Sequence, residues 1–339
     1  MIYKYTAGLP STEYTKPYLP DSGKFEWGDE TDLSTGLVIK EKATGSEYVW
    51  VEVPKTEDVY EKAGTNITNF TDEEYTRIEE DLHKYTSEYR NGTGYKDVYY
   101  TDNVDGWFND ENEYNNLKQK MLRSVYQNGG FWVGRYEAGI EDEANIRKDS
   151  SSVATLVPVS KQNIYPYNLI KRTQAKVLAE KVESGSYTSS LMFGVQWDLI
   201  LKFIETKRIT TDSNIKKKLN SNSTLIGNYN NNLWNITNVN AKYSTNNGNN
   251  FLAKLYKKTL SAGILLTTGA DESFSLMNIY DLAGNVWEWT LEKTPYDSVP
   301  CTSRGGCYGS NGDEVLVSYR NGSDSINGYR SVGFRVSIY

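Results

Sequence analysis

The stretch that most constrains the fold is Asn278-Ile279-Tyr280-Asp281-Leu282-Ala283-Gly284-Asn285-Val286-Trp287-Glu288-Trp289-Thr290. A turn signal, Ala283-Gly284-Asn285, leads straight into a tryptophan, carboxylate, tryptophan alternation. Side chains two apart on a strand share a face, so Trp287 and Trp289 are expected in one core, with Glu288 directed to the other side. A carboxylate so placed needs a metal or a hydrogen-bond network to hold it. The last residues echo the pattern with Val332-Gly333-Phe334-Arg335-Val336.

With 339 residues the chain has room for one large domain or two smaller ones. Its 27 Tyr, 8 Trp and 27 Gly, with a mean hydropathy of -0.63, describe a loop-rich protein with amphipathic side chains near its surface. A net charge of -7 and the lack of a Lys/Arg stripe interleaved with aromatics argue against a nucleic-acid partner. Cys301 and Cys307 are the only cysteines, so the fold is not a disulfide scaffold; they form one bridge or remain free, with Cys307 partly exposed. No apolar run of about 18 residues and no basic-then-apolar start are present. Membrane association is therefore expected only through a segment absent from this sequence.

Residues 1–34, rich in Pro, Gly, Ser, Thr and Tyr, read as an arm or linker. A first hairpin is expected from Gly36–Ile39 and Tyr48–Val53, turning at Ala43-Thr44-Gly45. Thr71-Asp72-Glu73-Glu74 after Phe70 has the form of a capping box with a hydrophobic staple, and Tyr75, Ile78, Leu82 and Tyr85 continue at helical spacing toward Arg90-Asn91-Gly92. His83, the only histidine, is expected on the charged surface of that helix. A second helix from about Asp110 to Gln127 stops at Gly129-Gly130 and feeds a strand running from Phe131 to Ile140. On that strand Arg135 and Glu137 share a face and are expected to pair. Further helices are predicted over 173–180 and from Gly194 to about Glu205, then long polar loops from Lys207 to Leu252. Strands and tight turns fill the last third, Glu314–Tyr319 among them.

Asn278–Thr290, Ser303-Arg304-Gly305-Gly306 and Gly333-Phe334-Arg335 together resemble the formylglycine-generating enzyme (sulfatase-modifying factor) family. Phe131–Glu137 and the Gly194-Val195-Gln196-Trp197-Asp198 helix start are similar to further landmarks of it. The resemblance implies an α+β chain with a C-type lectin-like fold over 35–339, irregular loops, and a helical insertion at 55–128. It also implies structural roles for Arg135, Glu137, Trp197, Trp287, Trp289, Arg304, Gly305, Gly306, Gly333, Phe334 and Arg335. Catalytic members bind copper through two cysteines; those positions fall near Ser310 and Val315, so neither copper nor oxidase activity is expected.

Targets of diversity-generating retroelements use this type of fold to display a variable surface near the C-terminus. In this chain the corresponding region is 303–332, whose Asn, Ser, Asp, Gly and Tyr residues are compatible with mutagenesis at template adenines. The ligand-contacting candidates are Tyr308, Ser310, Asn311, Asp313, Ser318, Tyr319, Asn321, Ser323, Asp324, Asn327 and Tyr329. Their partner would be a protein or a glycan, met outside a cell or on a phage particle. An undiversified lectin-like binding or structural domain is the other reading.

Calcium-containing members place oxygen ligands at the positions of Asp281, Gly284, Val286 and Glu288, a donor set suited to Ca²⁺. The alternative is that Asp281 caps the turn and Glu288 accepts backbone or arginine donors.

Overall fold

A computed structural model describes residues 11–90, 94–183, 185–253 and 256–339. Two sheets carry the architecture. The larger has six strands in the order Phe25–Trp27, Val38–Glu41, Glu47–Glu52, Gly130–Gly134, Val336–Ile338 and Ser189–Leu191, each neighbour antiparallel. The smaller has four, in the order Arg320–Ser323, Cys301–Arg304, Trp287–Lys293 and Val332–Phe334, the last two being parallel. The closing segment thus passes from the small sheet to the large one at Arg335.

The helices follow their caps. Thr71 accepts from the Glu74 amide at the start of α1 (Asp72–Tyr85), and Phe70 packs on Tyr75 with ring centroids 5.6 Å apart. A short α2 (Ser87–Arg90) follows; Asn91 and Gly92, where the sequence ends this helical run, lie outside the described residues. In α3 (Glu111–Asn128) Asp110 caps the start, and Gly129 ends it in the left-handed region at φ 68°. A Cβ at Gly129 would lie 2.2 Å from the Tyr14 carbonyl oxygen, which is why the stop is glycine. The next helices are α4 (Arg172–Glu180), α5 (Gly194–Arg208) and the short α6 (Ile215–Asn220). The polar region 207–252 supplies Trp234, Ile236 and Tyr243 to a second, smaller core shared with Ile264, Leu266 and Phe274.

Several expectations change. Residues 11–34 are not a detached arm: Phe25–Trp27 is the edge strand of the large sheet, and buried Thr15 accepts from the Trp50 indole at 2.8 Å. The run from Phe131 to Ile140 is broken at Gly134, and Gly139–Ile140 pairs with Tyr165–Pro166. That break separates Arg135 from Glu137. Arg135 pairs with Glu47 at 2.9 Å, while Glu137 accepts from Asn285 and from the Val286 amide. Residues 314–319 form turns, and the strand begins at Arg320.

Candidate ligand-binding surface

Arg335 sits where the two sheets meet, fully buried. Its Nε and Nη2 hold the Glu288 carboxylate, the shortest contact being 2.6 Å, while Nη1 and Nη2 reach the Gly134 and Tyr280 carbonyl oxygens at 2.9 and 2.8 Å. Glu288 does point away from its two tryptophans, yet both faces of that strand are buried. Trp289 donates to the Ile170 carbonyl at 2.9 Å, and Trp287 lies against Tyr319. The preceding turn is equally committed. Gly284 has φ 75°, and a Cβ there would meet the Asn228 carbonyl oxygen at 2.4 Å.

This arrangement bears on the calcium reading. A guanidinium occupies the Glu288 carboxylate. Asp281 accepts from the Gly269 amide through one oxygen; its other is buried without a hydrogen-bond partner among the described residues. Asp281 and Glu288 therefore do not present a ready ring of free oxygen donors, and a divalent cation at Glu288 would face the positive charge of Arg335. Burial raises the pKa of Glu137 well above the usual carboxylate range, with the Asp281 and Glu288 charges adding to it, and pushes Asp281 up to about 7.

A second buried charge cluster lies under the small sheet. Asp198, on α5, accepts from Arg304 at 2.9 Å and from Arg320 at 2.5 Å; Arg320 also donates to Glu292 at 3.0 and 3.1 Å. Arg320 further donates to the Tyr89 carbonyl at 2.8 Å, and Arg90 reaches Asp198 at 3.4 Å. The α2 segment is thereby tied beneath the Cys301–Arg304 and Arg320–Ser323 strands. Nothing at Asp198 or Glu292 in the sequence marks this network, since each looks like an ordinary helix or strand carboxylate.

Above that floor two cavities adjoin, both lined by Asp324. One, of 280 Å³, lies among Trp287, Asn321, Ser323, Tyr329 and neighbouring main chain. The other, of 670 Å³, runs between the Tyr100–Val104 segment, Lys293 with Asp297, and Asp324–Ile326. That segment is held there by main-chain bonds between Lys96 and Lys293 and by Arg172, whose guanidinium lies 3.8 Å from the Trp107 ring centre and 4.9 Å from that of Tyr100. Tyr100 and Asp102 are site residues that sequence reading missed; no motif surrounds them, and only the tertiary docking of their segment brings them here.

The eleven candidates separate. Asn321, Ser323, Asp324 and Tyr329 line these cavities, Asn327 is exposed beside them, and Tyr319 is 46% exposed. Asp324 accepts from the Ile326 and Asn327 amides and from the Tyr329 hydroxyl, which shapes the loop. Tyr308 and Ser318 are buried, contrary to a display role. Ser310, Asn311 and Asp313 belong to a different loop, clasped by Asn230 and Asn231: Asn230 donates to Asn311 at 3.0 Å and Asn231 to Asp313 at 2.8 Å. Both cysteines are free and buried, including Cys307, whose sulfur lies 3.4 Å from the Ser310 hydroxyl. Burial pushes the Cys301 thiol up to about 11.

The closing strand, the Arg304-Gly305-Gly306 turn and the Trp287–Trp289 strand all fall inside residues 217–338, which match the sulfatase-modifying factor enzyme 1-like domain. Residues 217–338 are thus similar to the sulfatase-modifying factor family. The fold is α+β and C-type lectin-like, as that similarity implies. Among solved structures, Treponema denticola variable protein 1 is similar at 15% identity and a TM-score of 0.34, covering 62% of this chain and 84% of that one. A crystal structure of CarF is similar at 11% identity and a TM-score of 0.37, covering 72% of this chain and 95% of that one. No curated protein matches.

Proposed function

We propose that this sulfatase-modifying-factor domain is a noncatalytic binding protein, and that its variable surface is the 319–329 loop facing the Tyr100–Val104 segment of the insertion. The observation that carries the reading is the adjoining pair of cavities, into which Asn321, Ser323, Asp324 and Tyr329 converge above buried ion pairs. Such a floor holds the backbone while the side chains above it change. Tyr, Asn and Ser give adaptable contacts at low entropic cost, suited to a protein or glycan ligand. Ser310 and Val315 support the noncatalytic reading, because neither side chain can supply the thiolate that a copper site needs.

The test is a library varied at Tyr319, Asn321, Ser323 and Asn327, selected against immobilised peptides and glycans. Binders are expected to emerge and to weaken when Tyr100 and Asp102 are replaced by Ala across the cleft. Binders indifferent to both changes would place the ligand elsewhere. Copper-dependent turnover of a cysteine peptide by the parent chain would replace the binding reading with an oxidase. In the genome, a neighbouring reverse transcriptase and a near-copy of the 303–332 coding stretch, differing at adenines, are expected.

A further inference from the structure

The only histidine of the chain, expected at the surface, lies instead in a partly buried group with Glu79 and Asp97. Glu79 and His83 stand one helical turn apart on α1, the i, i+4 spacing that puts two ligands on one helix face. Asp97 comes from the segment that follows the helices. One ligand atom from each of the three lies within 4.8 Å of the others, and His83 Nε2 is 4.0 Å from a Glu79 oxygen. His83 Nε2 is shielded from solvent and has no hydrogen-bond partner among the described residues. A shielded imidazole nitrogen beside two carboxylates, with no hydrogen bond of its own, is an uncommon arrangement for a buried polar atom.

From this juxtaposition we propose that Glu79, His83 and Asp97 form a site for a divalent transition-metal ion of the zinc type. One imidazole and two carboxylates make a mixed nitrogen and oxygen donor set, which suits Zn²⁺ and its neighbours better than Ca²⁺. Lys118 stands beside these ligands: its ammonium bonds to Glu79 at 2.8 Å and to the Asp97 carbonyl oxygen at 2.9 Å. Binding is therefore an exchange of an ammonium for a metal ion, and it frees the Asp97 carbonyl. A groove of 560 Å³ between α1 and α3, lined by Glu79, Lys118, Asn115 and Gln119, gives both a way in for the ion and room for Lys118 to swing out.

The position gives the ion a role. Asp97 accepts from the Gly194 and Val195 amides at 2.7 and 2.9 Å, the first turn of α5. A metal shared between α1 and Asp97 would lock the insertion onto the lectin-like core, three residues before Tyr100 begins the cleft wall. Metal binding itself does not depend on the ligand-binding proposal.

Because the chain has one histidine, the imidazole ¹H–¹⁵N spectrum of an untagged sample reports the site without mutation. One equivalent of Zn²⁺ is expected to shift the Nε2 resonance and raise the thermal midpoint. Glu79→Gln should weaken binding about tenfold or more, and Lys118→Met should tighten it. Imidazole resonances unchanged at saturating Zn²⁺ would overturn the site. So would Zn²⁺ binding by calorimetry of undiminished affinity in both Glu79→Gln and a folded His83→Ala variant, which would place the ion elsewhere.

Discussion

Arg335 and Glu288 form a fully buried ion pair, 2.6 Å at its closest, between the strand that closes the large sheet and the central motif of the small one. The chain crosses between sheets at this arginine, so its side chain bonds on both sides: Glu288 and Tyr280 on one, Gly134 on the other. The carboxylate between two tryptophans is thus a joint between layers.

Removing one member of such a pair leaves a buried charge alone. Arg335→Met is expected to destabilise the chain by about 3–5 kcal/mol, read as a lower urea midpoint at unchanged slope. A loss under about 1 kcal/mol, typical of exposed pairs, would show that the joint bears little of the stability.

The same pair sets the response to calcium. With the guanidinium already on Glu288, thermal unfolding is expected to be the same in excess Ca²⁺ and in chelator. The joint Zn²⁺ prediction requires that the chelator comparison use metal-stripped protein. A calcium-dependent rise in the midpoint that Glu288→Gln abolishes would return the ion to the turn.

Asp281 supplies a pH dependence. Its folded pKa, raised to about 7 from 3.8, means the folded state holds the proton more tightly than the unfolded one. Its contribution is therefore complete below about pH 4 and is lost as pH rises toward 7, flat beyond. Asp281→Asn should reduce the slope of stability against pH over that window, to which Glu137 and Glu288, shifted the same way, also contribute. Asparagine fits the backbone, since φ is 56° at this position and Asn tolerates the left-handed region. An unchanged slope between pH 4 and 7 would locate the titration in other groups.

Local signals announced the local structure. The Thr71 and Asp110 caps, the Gly129 stop and the tryptophan alternation are each carried by a few neighbouring residues, and each element formed there. What sequence could not show was the partner of a buried charge. Arg135 and Glu137 satisfy the strand rule for pairing, but the chain bends at Gly134 and gives each another partner. The cleft was half legible for the same reason. Composition pointed to Asn321–Tyr329, whereas Tyr100, Asp102 and Lys293 arrive through docking of a segment held by Arg172 and by the Lys96 main chain. Tyr308 has the composition of a displayed residue and is buried, with its hydroxyl donating to Asn247 at 3.1 Å.

That division between floor and surface is testable by stability alone. Tyr319→Ser, Asn321→Ser, Ser323→Asn and Asn327→Ser combined remove exposed or half-buried groups whose bonds are few: Asn321, for one, reaches only Ser303 and Ser323, both at 3.3 Å. The fourfold variant is expected to keep its thermal midpoint within about 2 °C, since surface changes of this kind stay near ±0.5 kcal/mol each. Tyr308→Ala, a single change outside the cleft, removes a buried ring and should cost about 3 kcal/mol, lowering the midpoint by several degrees in calorimetry. If the fourfold variant unfolds as early as Tyr308→Ala, the 319–329 loop belongs to the core, and a surface free to vary without loss of the fold does not exist there.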